Sequence, residues 1–511
     1  MKLKNIINTL SIAAVAFFAT ACQDTDAQIS ITDVDAPEFV SATLTKEVPV
    51  FFGETTIKVA FDKKINFASK NASQVTINGE AVDKAWVAGA SNELTIVKTL
   101  DFCNSLTLHI PAGLVIGPQG KTYDADIDKT WTVKEMPSND ATAMTAKLGW
   151  GWNLGNHFDT TGDLAYGYWD KVDVISSDLF EALAAAGAKT VRMPVTWTNH
   201  MDEGNVIKAD YLNEVAGAVD KALAAGLNVI INTHHDSFET TLGDCAKDEA
   251  KAEETKALIE TLWTQVANKF KDYDADKLIF ETFNEIHSGD NWRSGSDEEN
   301  ALLNDWNQYA LDAIRATGGN NATRWIAIAH YAANIDQTIA NLRIPADSRI
   351  IVAVHCYDPY NFCLAPVKSG TDSWGHNANA STSVSGANED YVIAQLYKLR
   401  TAFIENNIPC YLGEYGCVIQ TTENANAFRK YYLEFFCRAA YFAGIPMFVW
   451  DNNGKATGGD EENGYVDHAT GAYVGDAEIV PMMIKACTST DTSYWFDTIW
   501  NKSPVYVGPE E

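Results

Sequence analysis

Basic residues are scarce in this chain of 511 residues: 38 Lys and Arg stand against 68 Asp and Glu, a formal net charge of −30. Such a surface repels phosphate backbones, which excludes nucleic acid as a partner and reads most simply as a solvated exterior. There is no CxxC pair and no His/Cys spacing of the kind that holds zinc, so no metal site is expected. No GxGxxG or GxxxxGK follows an early strand-like run, which leaves nucleotide binding without support. Beyond the N-terminus no segment reaches ~20 consecutive apolar residues, the length a spanning helix needs. What is present is ordinary globular content, 46% hydrophobic and 21% charged, enough for a real core.

The N-terminus has its own pattern. Met1-Lys2-Leu3-Lys4 is basic, Ile6 to Ala21 is mostly apolar, and Ala19-Thr20-Ala21 leads into Cys22. A basic start, a short apolar stretch and small residues before a break predict a signal peptide over 1–21. The cysteine at the break resembles a bacterial lipobox, which implies lipidation of Cys22; a plain signal peptide with a chance cysteine is the alternative. The acidic Gln23-Asp24-Thr25-Asp26 resembles the export tags of surface lipoproteins. The expectation is a lipid-anchored protein of the outer membrane or cell surface, with periplasmic display left open, and a polar tether over 22–36. Of the other eight cysteines, Cys356 and Cys363 share one loop and are a candidate bridge.

From 37 to 134 short segments alternate polar and apolar residues. Examples are Thr56–Phe61, Ser73–Ile77 before a turn at Asn78-Gly79, Leu106–Ile110, and Trp131–Val133. Strands at this spacing with no helical period predict a small all-β sandwich, and the run resembles bacterial Ig-like modules. A spacer is favoured over a glycan-binding role, for which Trp86 and Trp131 are the candidates. Residues 135–146 read as a linker. From 147 to 511, apolar runs beginning near Leu148, Thr190, Asn228, Leu278, Trp325, Ile350, Tyr411 and Met447 alternate with Ala/Leu/Glu/Lys-rich stretches. Continuous apolar strands between helices mean a parallel sheet, and eight of them fit a (β/α)8 TIM barrel; a doubly wound open sheet is the alternative.

Polar groups abut these runs at their C-terminal ends, where a barrel gathers function. Arg192 ends the second, His234 and His235 the third, Asn284 and Glu285 the fourth, His355 and Tyr357 the sixth, Glu414 the seventh and Trp450 the eighth. Any one has a structural explanation; six such placements on one rim do not, because polar groups beside a core are costly without partners. Two carboxylates converging on one bond are what glycoside cleavage requires: a neutral acid for the leaving oxygen and an ionised nucleophile or base. Glu285 and Glu414 supply the pair.

The ordered set of Arg, His, Asn-Glu, His-x-Tyr, Glu and Trp resembles glycoside hydrolase family 5. The stretches "HCYDPYNF", "LGEYG" and "WDNN" resemble its subfamily 4. The resemblance implies a retaining endo-acting β-glucanase that needs no cofactor, works as a monomer and takes β-glucan polysaccharide. In that reading Glu414 is the nucleophile and Glu285 the acid and base. Arg192 and Tyr357 hydrogen-bond Glu414, and Asn284 holds the sugar 2-hydroxyl. His234 and His355 bind hydroxyls or orient the glutamates, with His235 behind them, and Trp450 floors the ring at the cut site. Trp197, Trp292 and Trp374 are candidate platforms for outer sugars. Asn153, Asn156 and His157 are candidates to line the cleft. Ile286 and Asp358 depart from the usual proline and serine, and Asp358 places a charge near the cleft. Xylan or mannan is the rival substrate, and a non-catalytic glycan-capture protein the rival class.

Overall fold

A computed structural model of the chain describes residues 35–45, 48, 50–162, 164–454 and 460–508. The signal peptide, Cys22 and all but the end of the tether lie outside the described residues. No helix among the described residues is long and apolar enough to cross a membrane. The chain forms two compact units: a β-rich one containing Gly53–Leu100 and Ser105–Thr132, and a larger one containing Val48–Phe52, Asp101–Asn104 and everything from Val133 on.

The β-rich unit has two four-stranded sheets, ordered Phe39–Leu44, Phe51–Phe61, Glu93–Cys103, Lys84–Val87 and Ile127–Thr132, Ser105–Ile110, Thr76–Ile77, Glu80–Ala81. Every described register in them is antiparallel. Alternation does the work expected of it: Ile57, Val59 and Phe61 are buried while Lys58 is exposed, and Leu106, Leu108 and Ile110 repeat the pattern. Ser73 and Gln74, read as strand, instead end a 3-10 turn over Ser69–Gln74; Val75 is extended, and the paired strand is only Thr76–Ile77. Trp86 is 40% exposed and Trp131 half-buried.

The larger unit is a closed eight-stranded parallel barrel. Its strands are β1 (Trp150–Asn153), β2 (Thr190–Met193), β3 (Asn228–Asn232), β4 (Leu278–Glu281), β5 (Ile326–Ile328), β6 (Ile350–Cys356), β7 (Cys410–Tyr415) and β8 (Met447–Val449). Pairing of Trp150 with Met447 and of Trp152 with Val449 shuts the ring, which rules out the open sheet. Ile230, Ile279, Ala327, Ile351, Ala353, Tyr411 and Phe448 fill the inside, and alternate residues such as Val229, Phe280 and Val352 face the helices. The helices fall where their composition puts them. One spans Asp297–Ala316, and its start is fixed by a reciprocal cap between Ser296 and Glu299. Another, Glu423–Ala443, is capped by Thr422 and ended by Gly444 in the left-handed region. The stretch 135–146 is not simply a linker. Its second half begins a helix, Asp140–Leu148, with a capping box at Asn139, and Met144 and Leu148 close the barrel floor.

A bulge in the barrel wall sets the direction of Glu414. Along β6 and β7, Val354 pairs with Leu412 but His355 pairs with Glu414, so Gly413 is an extra, unopposed residue. Such a bulge reverses the alternation beyond it. Tyr411 points inward below it, Glu414 points inward above it, and Tyr415 turns out to the helices.

Candidate active site

At the C-terminal mouth of the barrel, Arg192 is fully buried and uses its whole guanidinium fork. Nη1 donates to Glu414 Oε1 at 2.8 Å and to Asn153 Oδ1 at 2.9 Å. Nη2 donates to Glu281 Oε1 and to Asn284 Oδ1, each at 2.7 Å. Nε reaches Glu281 as well, at 3.1 Å. A planar, always-charged group with fixed donors suits this: it sets two carboxylates and two amides in one geometry.

Glu414 takes its second hydrogen bond from Tyr357 Oη at 2.8 Å, and His355 Nδ1 stands 3.8 Å away. Burial alone would raise its pKa. The charges of His355 and Arg192 and the bonds from Tyr357 and Arg192 outweigh that and hold the carboxyl below its ordinary range. Glu285, more open to solvent, meets His355 Nδ1 at 2.7 Å through Oε1. His355 loses by burial but gains more from Glu414 and Glu285, so its pKa is raised. One ligand-type atom each from Glu285, His355 and Glu414 lies within 4.8 Å of the others.

Asn284 offers a buried Nδ2 with no protein partner, a donor left for something else. His234 Nδ1 receives Asn232 Nδ2 at 3.2 Å, which leaves its proton on Nε2. Burial pushes its pKa well down, so it is a neutral donor. Its ring lies parallel to the Trp450 indole, centroids 5.8 Å apart. His235 Nδ1 sits 3.1 Å from Glu239, and its pKa rises to about 9 because that carboxylate outweighs burial. Asp159, His234 and His235 bring three possible metal ligands within 4.8 Å. The proton on His234 Nε2 makes that atom a donor rather than a ligand, so the set does not fit an ion as it stands.

The structure thus brings together Arg192, Asn284, Glu285, His355, Tyr357 and Glu414, with His234 stacked on Trp450. Asn153 is a support: its Nδ2 bonds the carbonyls of Gly413, Phe448 and Val449. Asn156 holds a left-handed turn, with φ of 64°, and its N–H goes to Asp159. His157 is buried on Asp170. Two aromatic expectations are corrected. Trp197 is fully buried with Nε1 on the Asn232 carbonyl, and Trp374 is buried with Nε1 on the Ala387 carbonyl, so neither presents a face to a ligand. Trp292 is 51% exposed and lies over His287, centroids 3.8 Å apart. Asp358 is held by Tyr391 Oη at 2.7 Å. Cys356 and Cys363 are not bridged to each other, so that candidate bridge is absent; Cys363 lies instead against Cys417.

Sequence reasoning missed Glu281. It is fully buried and accepts from Arg192, from Asn232 Nδ2 at 3.0 Å and from Tyr411 Oη at 2.5 Å. Burial would raise its pKa, but Arg192 wins and lowers it. A charge inside the apolar run Leu278-Ile279-Phe280 was the available signal.

A barrel with two carboxylates facing each other across its mouth, one fixed by arginine and tyrosine and the other on a histidine, defines a glycosyl hydrolase. Comparison with known proteins agrees. Residues 154–456 match cellulase (glycosyl hydrolase family 5), and the chain belongs to that family. Endoglucanase A of Clostridium longisporum is 31% identical over 350 residues, covering 66% of this chain and 64% of that protein. The structure of a broad-specificity subfamily 4 endoglucanase from Bacteroides salanitronis is 38% identical with a TM-score of 0.66, covering 70% of this chain and 97% of its own. A Caldicellulosiruptor lichenase in complex with cellotetraose is 30% identical with a TM-score of 0.62, covering 70% and 97%.

Proposed function

We propose that this chain is a retaining endo-β-1,4-glucanase cutting internal bonds of β-glucans of the cellulose, xyloglucan or mixed-linkage type. The observation that carries the reading is the approach of Glu285 and Glu414 oxygens within 4.8 Å. Retaining pairs sit about 5–5.5 Å apart, whereas inverting pairs leave about 6.5–9.5 Å for a water. The endoglucanase and lichenase relatives support the substrate class.

Glu414, kept ionised by Arg192, attacks the anomeric carbon, while Glu285 gives its proton to the departing oxygen. As Glu285 becomes a carboxylate, the His355 N–H 2.7 Å away stabilises the new charge. Glu285 then takes a proton from water, which releases the sugar from Glu414. The free Asn284 Nδ2 meets the 2-hydroxyl, a contact that strengthens in the transition state. His234 Nε2–H binds a hydroxyl beside the Trp450 floor. The N-terminal features complete the proposal: signal peptide 1–21, lipid on Cys22, display at the cell surface, and an Ig-like spacer supported by the two antiparallel sheets. The enzyme works as a monomer.

Product analysis on carboxymethyl cellulose, xyloglucan, mixed-linkage glucan, xylan and mannan tests this. Short oligosaccharides from a glucan, first appearing as the β-anomer by NMR, are expected. Cleavage of xylan or mannan alone overturns the substrate, and initial α-anomer overturns retention.

A further inference from the structure

Behind Trp450 lies a buried ionic cluster that the bond-breaking steps do not use. The loop leaving β8 passes from Trp450 to Asp451 and returns through Tyr465 and Val466 to His468. The His468 side chain is sealed from solvent, as are those of Asp170 and Asp451. Its Nδ1 lies 3.0 Å from Asp170 Oδ2, and its Nε2 lies 3.4 Å from Asp451 Oδ1. Asp170 belongs to the loop leaving β1, and the same Oδ2 meets His157 Nδ1 at 3.0 Å. Asp451 Oδ2 accepts Trp152 Nε1 at 2.8 Å and the N–H groups of Tyr465 and Val466 at 3.0 and 2.8 Å. The edge of Trp152 stands against the His468 ring, centroids 5.0 Å apart at 79°.

Two sealed carboxylates on one ring need a cation between them, because an uncompensated buried charge is strongly destabilising. His468 hydrogen-bonds Asp170 and faces Asp451 across 3.4 Å, a contact of charge with no hydrogen bond from its buried Nε2. Asp451 directly follows Trp450, and its carbonyl accepts the Gly155 N–H at 2.9 Å. A β-carbon on Gly155 would lie 2.6 Å from that oxygen and 2.8 Å from the Trp450 ring, so the two loops meet with no room to spare.

We propose that His468 is a positioning residue: an imidazolium joined to Asp170 and Asp451 that ties the β1 and β8 loops together and sets the Trp450 indole in the cleft. The role of Trp450 as sugar floor rests on the proposed glucanase activity. Burial opposes charge on His468, yet Asp170 and Asp451 carry its pKa up to about 9. The titratable groups facing it are those two aspartates, with His157 across Asp170. Since the folded pKa exceeds the unfolded one, the tie is fully present below about pH 6.5 and lost as pH rises through about 9.

Imidazole NMR titration of the full chain reads the charge directly. His468 is expected to stay protonated beyond about pH 8, and titration below about pH 7 overturns the proposal. Calorimetric binding of cellotetraose to Glu285→Gln reads the consequence without turnover. Affinity is expected to fall about tenfold across a step near pH 9, and adding His468→Gln should give weak binding with no step. His235 also titrates at about 9, so a step that survives His468→Gln belongs to His235 and overturns the proposal. Absence of cellotetraose binding at every pH overturns the glucanase reading instead, and the titration alone then decides the tie.

Discussion

Two layers of the barrel share one cation. In the lower, Glu281 is surrounded by Arg192, Asn232 and Tyr411, and no solvent reaches it. In the upper, Glu414 has Arg192 and Tyr357 and remains 5% exposed at the open mouth. Both carboxyls are held ionised, Glu281 chiefly by that guanidinium and Glu414 by His355 together with it. The difference is completeness. A carboxylate whose acceptor sites are filled is an anchor, while one with lone pairs left over toward a cleft is free for the nucleophilic role proposed above. Arg192 therefore does two jobs: its stability is secured below so that its charge can be used above.

The largest expected effect tests the upper layer. Glu414→Gln should lower kcat/KM on a glucan by at least about 10⁴-fold while the melting temperature stays near wild type. A large loss of stability would mean that both layers are structural. Next, Glu281→Ala should destabilise by about 3–5 kcal/mol in chemical denaturation, since it leaves Arg192 without its main counter-charge. Wild-type stability in that variant would dissolve the contrast. Tyr357→Phe should slow turnover by about tenfold and move the acid limb of the pH profile upward. The sign follows from the hydrogen bond: Tyr357 helps lower the Glu414 pKa, and activity and stability that depend on ionised Glu414 fail as pH falls through that pKa. Removing the bond makes the failure begin at higher pH. The smallest effect belongs outside both layers. Trp292→Ala should weaken KM for long glucans by about threefold, leaving short aryl substrates unchanged, because exposed stacking adds only about 0.5–1.5 kcal/mol.

Much of the upper layer was legible in the sequence and little of the lower. Arg192, Glu285, His355, Tyr357, Glu414 and Trp450 stand at the ends of apolar runs, where polarity has no packing reason. Glu281 stands inside such a run, and only its partner Arg192, 89 residues earlier, explains it. Trp197 and Trp374 were misread because a loop indole can equally turn inward and spend its N–H on a backbone carbonyl. The Asp140–Leu148 helix hid behind a polar start, although Asn139 with Thr142 is a capping pair. Longer helices such as Asp297–Ala316 and Glu423–Ala443 were readable from composition; strand 73–77 was not, since two residues of pairing carry almost no periodic signal.

Gly413 gives β7 a change of phase. Below it odd-numbered positions belong to the interior; above it even-numbered ones do. A side chain there would press on the His355 ring that meets Glu285, with a β-carbon 2.9 Å from His355 Nε2. The strand is in effect two half-strands spliced out of step, one answering to the core and one to the substrate. Each half can vary under its own constraints, but the splice cannot be ironed out: with Gly413 drawn back into regular pairing and the length unchanged, the strand would turn Tyr415 to the mouth and Glu414 to the helices.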